Sequence, residues 1–294
     1  RLFKKMRELR DNGVAVFIVT HRIAELVRIS DKATVMRDGK DVGVLEKKDL
    51  NEKNLIGLMT GRAETGEKSK SVAVQTKTDK VVMRAENLVV WPESKPVNFE
   101  VKRGEIVGVT GLDGNGQDDF VKILAGVQEA HGGTTEILGT NENFVKYSSL
   151  ENAKQNGISF VSGDRKKEGI LPNLSIYENL VVPLYKSTSR AGFLGFVNWM
   201  ELNGVFEWEV DRLNIKTGPR DNLITSLSGG NQQKVMIARS FAQHPKVLIL
   251  NDPARGIDVS TKRDLYIHLR NYVEEGNTVI FLSSELEEFI GLCP

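Results

Sequence analysis

An internal disulfide is the first thing this sequence cannot have. Its only cysteine is Cys293, which fits a reducing compartment. An excess of one charge is missing too: 40 Lys and Arg stand against 39 Asp and Glu, a net charge of +1. No strong field therefore draws the chain to nucleic acid. No apolar run is long enough to cross a bilayer. The opening Arg1-Leu2-Phe3-Lys4-Lys5 is followed by no apolar segment of the signal-peptide kind. What remains is an ordinary soluble globular composition, 40% hydrophobic and 27% charged, with length for one large domain or two smaller ones.

Against that plain background one segment repeats. Residues 1–26 match residues 264–289 without gaps at an offset of 263, so that Gly13 answers to Gly276, residues 16–19 to 279–282, and Glu25 to Glu288. Both copies read as an amphipathic helix, a glycine turn, a β-branched strand and a second helix. Residues 1–62 are read as the tail of a first copy, 63–80 as a polar linker, and 81–294 as a second copy truncated at its end. If the copies are alike, roughly 180 residues of the first are expected upstream of Arg1. The alternative is a small separate module over 1–62, but one helix-strand-helix unit cannot bury its strand alone.

Two further stretches carry chemistry. Residues 227–235, LSGGNQQKV, bring a serine and two glycines to the start of a helical pattern over 234–241, where free N–H groups can hold an anion. Any Ser-Gly-Gly cap could look like this, but here an apolar strand, residues 247–250, follows and ends in Asn251-Asp252-Pro253. Residues 111–118, GLDGNGQD, lie between a strand (105–110) and a helix (120–125). That is the context of a phosphate loop, G-x-x-x-x-G-K-[ST]. The glycines are in place, yet Gln117 stands at the lysine position and Asp118 at the hydroxyl position. Lysine reaches the β- and γ-phosphates and the hydroxyl ligates Mg²⁺. A neutral amide and a carboxylate favour weak nucleotide binding, or a retained fold element with no ligand.

The nonamer, the strand behind it and the glycine loop before it resemble those of ATP-binding-cassette ATPases, in the form typical of sugar and nucleoside importers. The resemblance spans essentially the whole chain. It implies an α/β P-loop NTPase fold with a mainly parallel core sheet, a small antiparallel β subdomain and a helical subdomain. It implies ATP and Mg²⁺ as cofactors. It also implies a transmembrane permease as direct partner, a periplasmic or extracellular solute-binding protein met indirectly, a homodimer of full-length chains, no nucleic acid, and a peripheral place on the cytoplasmic face of the membrane.

Residue by residue, the resemblance marks Gly111, Leu112, Asp113, Gly114, Asn115, Gly116, Gln117 and Asp118 as one half of an ATP site. Ser228, Gly229, Gly230 and Gln232 are half of another. His21 stands where the family has a histidine at the γ-phosphate, whereas Ser284 stands there in the second copy. Asp252 replaces a water-polarising glutamate with a shorter side chain. Asn251 replaces a Mg²⁺-holding carboxylate, and Gly163 a glutamine or glutamate. In the family two cassettes pair head to tail around each nucleotide. The resemblance therefore implies one hydrolytic site, made by the first copy's pocket with His21 and closed by Ser228 to Gly230, with Asp258 in the loop that crosses between pockets. The chain alone is expected to turn over little ATP. Two alternatives stand beside this: a soluble two-cassette translation factor, against which the short mixed linker counts, and a catalytically inactive cassette kept as a scaffold.

Overall fold

The computed structural model describes residues 2–20, 23–37, 39–60, 79–112, 114–185, 197–255, 257 and 259–292. The chain divides into two compact units, one of Arg1–Val72 with Asp258–Thr261 and one of Ala73–Ile257 with Lys262–Pro294.

In the first unit, helices α1 (Leu2–Asp11) and α2 (Ile23–Ile29) precede an antiparallel hairpin, β1 (Lys32–Arg37) with β2 (Lys40–Glu46), and a helix α3 (Glu52–Thr60). Ala33, Val35, Leu50 and Leu55 form its small buried core. The strand expected at residues 16–19 does not form, and this is a correction. Residues 14–20 are irregular, with Phe17 91% and Val19 86% exposed. The physical reason is the lack of a neighbour. Among the described residues no strand pairs with this segment, and a parallel strand exists only through its ladders. Its repeat counterpart, β10 below, lies between two other strands and is wholly buried.

The second unit opens with an antiparallel sheet. β3 (Val81–Val89) pairs with β4 (Val97–Lys102) on one side and β6 (Gly132–Leu138) on the other, and β7 (Phe144–Tyr147) follows β6. Threaded through these strands are β5 (Ile106–Val109), leading to helix α4 (Gln117–Leu124), and then α5 (Leu150–Gln155) and β8 (Ile158–Val161). After β8 a single π-helical turn covers Arg165–Gly169. Helices α6 (Ile176–Val181), α7 (Trp199–Arg212) and α8 (Gly229–Phe241) come next. β9 (Val247–Asn251), α9 (Val259–Glu274), β10 (Thr278–Leu282) and α10 (Leu286–Leu292) complete the order.

The core sheet is parallel throughout, in the order β5-β10-β9-β8. Every residue of β9 and β10 is buried, as apolar runs covered on both faces should be. The two-residue period of the strands sorts them between two cores. Leu248, Leu250, Val279 and Phe281 join residues of α6, α7, α8 and α9 in one. Val247, Ile249, Ile280 and Leu282 join α4 and the antiparallel sheet in the other. Aromatic edges brace the first core, with Phe281 6.0 Å from both Tyr266 and Phe289. The expected fold class is thus observed: a parallel core sheet, an antiparallel subdomain, and a helical layer of α6 and α7 against α8.

Two helix starts differ from the sequence expectation. α8 begins at Gly229, five residues before Lys234, because Ser228 caps it and the two glycines belong to its first turn. α4 begins at Gln117 rather than Phe120, with the left-handed Gly116 as its N-cap.

Candidate functional site

The chain leaves β5 and curls into α4 through Gly114 (φ 86°) and Gly116 (φ 88°). Both adopt left-handed backbone that side chains resist. Gly116 offers no side-chain cap, so the first-turn N–H groups of α4 stay open to an anion. Gln117 folds back over the loop. Its Nε2 donates to Leu112 O at 3.0 Å and more distantly to Gly111 O at 3.5 Å, while its Oε1 is buried without a partner. A Cβ on Gly111 would lie 3.1 Å from that oxygen. Trp91 closes the other side. Its ring lies 3.2 Å from where a Cβ on Gly116 would be, and its Nε1 donates to Asp119 at 2.8 Å.

Behind the loop sits a charge cluster. Lys122 Nζ is 2.6 Å from Asp118 Oδ2, and Asn251 Nδ2 donates to Asp118 Oδ1 at 2.5 Å. Burial alone would raise the Asp118 pKa, but hydrogen bonds from Lys122 and Asn251 and the Lys122 charge outweigh it and hold it below the usual aspartate range. Asp252 follows β9 with φ 44°, and its N–H donates to Leu282 O at 2.9 Å. Burial first, then Glu288, push its carboxyl above the usual range, with Arg255 pulling the other way.

A cavity of about 600 Å³ gathers Gly114, Gln117, Asp118, Asn251 and Asp252 with Lys122, residues 162–166, Glu168, Arg255, Ser283 and Ser284. Lys122, Arg165 and Glu168 were not among the residues expected to form an ATP site. For Lys122 the signal was there, since a lysine four residues after Asp118 faces it on a helix. Mg²⁺ at a phosphate loop takes oxygen ligands. The residues here do not fit it, because Asn251 turns its amide N–H₂ towards Asp118 and Lys122 covers the other carboxylate oxygen. Among the described residues no group of three or more His, Cys, Asp or Glu could hold a metal ion.

The signature residues lie elsewhere. Ser228, Gly229, Gly230 and Gln232 are not part of that cavity's lining. Ser228 is exposed at the head of α8, where its Oγ accepts from Asn231 N at 3.4 Å and Asn231 Nδ2 at 3.1 Å. Gln232 Nε2 braces the preceding turn through Leu227 O at 3.1 Å. Arg165 links the cavity wall to this helix: its Nη1 donates to Gly229 O at 3.0 Å. His21, Asp113 and Asp258 lie outside the described residues, as does the linker over 63–78.

A family model described as ABC transporter matches residues 94–255. A ribose import ATP-binding protein of Bacillus cereus is 36% identical over 292 residues, covering 99% of this chain and 57% of that protein. A galactose/methyl galactoside import ATP-binding protein of Mannheimia succiniciproducens is 32% identical over 293 residues, covering 99% of this chain and 56% of that protein. The chain thus spans about half the length of the curated relatives it matches. Among solved structures, a dimeric post-hydrolysis ATP-binding cassette bound to ADP and phosphate aligns with a TM-score of 0.59 at 23% identity, covering 70% of this chain and 89% of that one. A nucleotide-free cassette from an ABC transporter aligns with a TM-score of 0.60 at 18% identity, covering 72% and 85%.

Proposed function

The chain belongs to the ABC transporter family, whose members bind ATP, and from that premise we propose that it is part of a subunit that energises import of a sugar or related small solute through a separate membrane permease. The curated relatives are named for ribose and galactose import, which supports the solute class. Among the described residues no helix is long and apolar enough to cross a membrane. The subunit works from the cytoplasmic face, on permease helices, with a solute-binding protein reached only through them. Full-length chains pair as a homodimer.

ATP is hydrolysed at one composite site. The nucleotide lies on a first cassette's phosphate loop with Mg²⁺, His21 reaches its γ-phosphate, and Ser228, Gly229 and Gly230 close over it. The observation that carries this is the position of the signature. The head of α8, with Ser228 exposed, lies off the cavity that the chain's own phosphate loop lines. Its N–H groups are thus available to a nucleotide held by another cassette. The chain's own pocket is non-hydrolytic, since Gln117 bends over its cradle and Asp252 is a short stand-in for a longer acid. Trp91, exposed beside Gly116, offers a ring for the base.

The test is Ser228→Arg in the full-length protein assembled with its permease. ATP turnover is expected to fall at least about a hundredfold, as loss of a transition-state contact does. Turnover near the parent rate would overturn the composite site.

A further inference from the structure

A phosphate loop normally brings its nucleotide in with Mg²⁺, held by a hydroxyl at the head of the helix and a carboxylate at the end of a neighbouring strand. In this chain those two chemistries are exchanged and then consumed. The helix head carries a carboxylate, Asp118, and the strand end carries an amide, Asn251. Both Asp118 oxygens are taken, one by Asn251 Nδ2 at 2.5 Å and one by Lys122 Nζ at 2.6 Å. Mg²⁺ demands near-octahedral oxygens at short range and gives up its waters reluctantly. Approaching Asp118, whose side chain is half-exposed, it meets an ammonium whose charge repels it.

The ammonium is also well held. The Lys122 side chain is only 25% exposed and lines the cavity one helical turn beyond Asp118. Glu168, on the π-helical turn, adds attraction from the far wall and is itself fixed by Ser162 Oγ at 2.5 Å. The hydrogen bond that Lys122 donates to Asp118 outweighs burial and raises its pKa above the usual lysine range. Gln117 Oε1, buried without a partner, marks the cradle as a place where polar contacts are still to be made.

We propose that Lys122 is a tethered cation standing in the place of the divalent metal, so that this cavity takes the phosphate chain of a nucleotide without Mg²⁺. This rests on the pocket being a nucleotide pocket, but not on which solute is imported or on the composite site. Incoming phosphate oxygens share Lys122 with Asp118, and the Gln117 amide leaves Leu112 O to meet them. The loop N–H groups then complete the anion's shell.

The experiment titrates the 294-residue chain, which carries this phosphate loop and no other, with a fluorescent ATP analogue followed by anisotropy. Wild-type affinity in EDTA is expected to match that in Mg²⁺ within about twofold. Lys122→Met is expected to bind about tenfold more weakly in EDTA and to recover when Mg²⁺ is added, because Asp118 is then free to take it. Lys122→Arg, which keeps the charge, retains metal-independent binding. A wild-type affinity that drops about tenfold on chelation would overturn the proposal. So would a folded Lys122→Met chain that binds like wild type in EDTA, or a folded wild-type chain that binds no analogue in either buffer. The wild-type comparison decides even if a variant does not fold. Failure of the Ser228→Arg test leaves these outcomes untouched, since Ser228 lies off this cavity.

Discussion

Single residues set the chemistry of this chain through partners far away in sequence. The loss of the phosphate-loop lysine at Gln117 is plain to read, and so is the Asp118 and Lys122 spacing on one helix face. That Asn251 would reach across to Asp118 is not, because the pair is 133 residues apart and meets only when β9 lies beside the loop. Glu209 is a similar case away from the site. It is 1% exposed, with Arg212 at 3.4 Å from one oxygen and the other oxygen unpartnered. Burial first pushes its pKa up to about 7, Glu275 adds to this, and Arg212 opposes it. Unfolded, it ionises near 4.5. Between those values the folded chain keeps a proton that the unfolded chain has lost, so the contribution of Glu209 to stability is fully present below about pH 4.5 and is lost as pH rises through about 7. Glu209→Gln is expected to remove that fall. Thermal melts at about pH 8 should show the variant gaining on the order of 1–3 kcal/mol over wild type relative to about pH 5. An equal gap at both pH values would show that Glu209 does not titrate this way.

At the scale of elements, the strands β9 and β10 were legible because buried parallel strands are continuous apolar runs. Helix starts were less so. Glycines argue against a helix by propensity, yet at α8 the cap at Ser228 outweighs them and draws Gly229 and Gly230 into the first turn. The same device secures α6, where the Ser175 hydroxyl accepts from Glu178 N at 3.1 Å and the Glu178 carboxylate accepts from Ser175 N at 2.8 Å, a full capping box. Ser175→Ala is expected to cost about 1 kcal/mol in chemical denaturation. A change below a few tenths would mean that the packing of Ile176 and Leu180 alone holds α6. The π turn at Arg165–Gly169 had no sequence signature at all. It exists where Arg165 is drawn to Gly229 O and Arg239 to Gly169 O at 2.5 Å, both contacts made by residues more than sixty positions away. It puts one short turn in touch with both the cavity wall and the signature helix.

For the molecule as a whole, family and fold class followed from motifs in order, while one element of the repeat failed. Residues 16–19 carry the same apolar pattern as β10 but not its surroundings, and pattern specifies a strand only when neighbours are there to pair with it. The exposed Phe17 and Val19 therefore have a consequence for how a solution of this chain behaves. A β-prone, uncharged stretch without a sheet is a template for the same stretch on another copy. Sample concentration, more than temperature, should then govern how long a preparation stays clear. Phe17→Lys is expected to cut the rise of light scattering with concentration by at least about threefold while leaving the melting temperature unchanged, since the ring is almost wholly in solvent. Scattering that grows as before would place the sticky surface elsewhere.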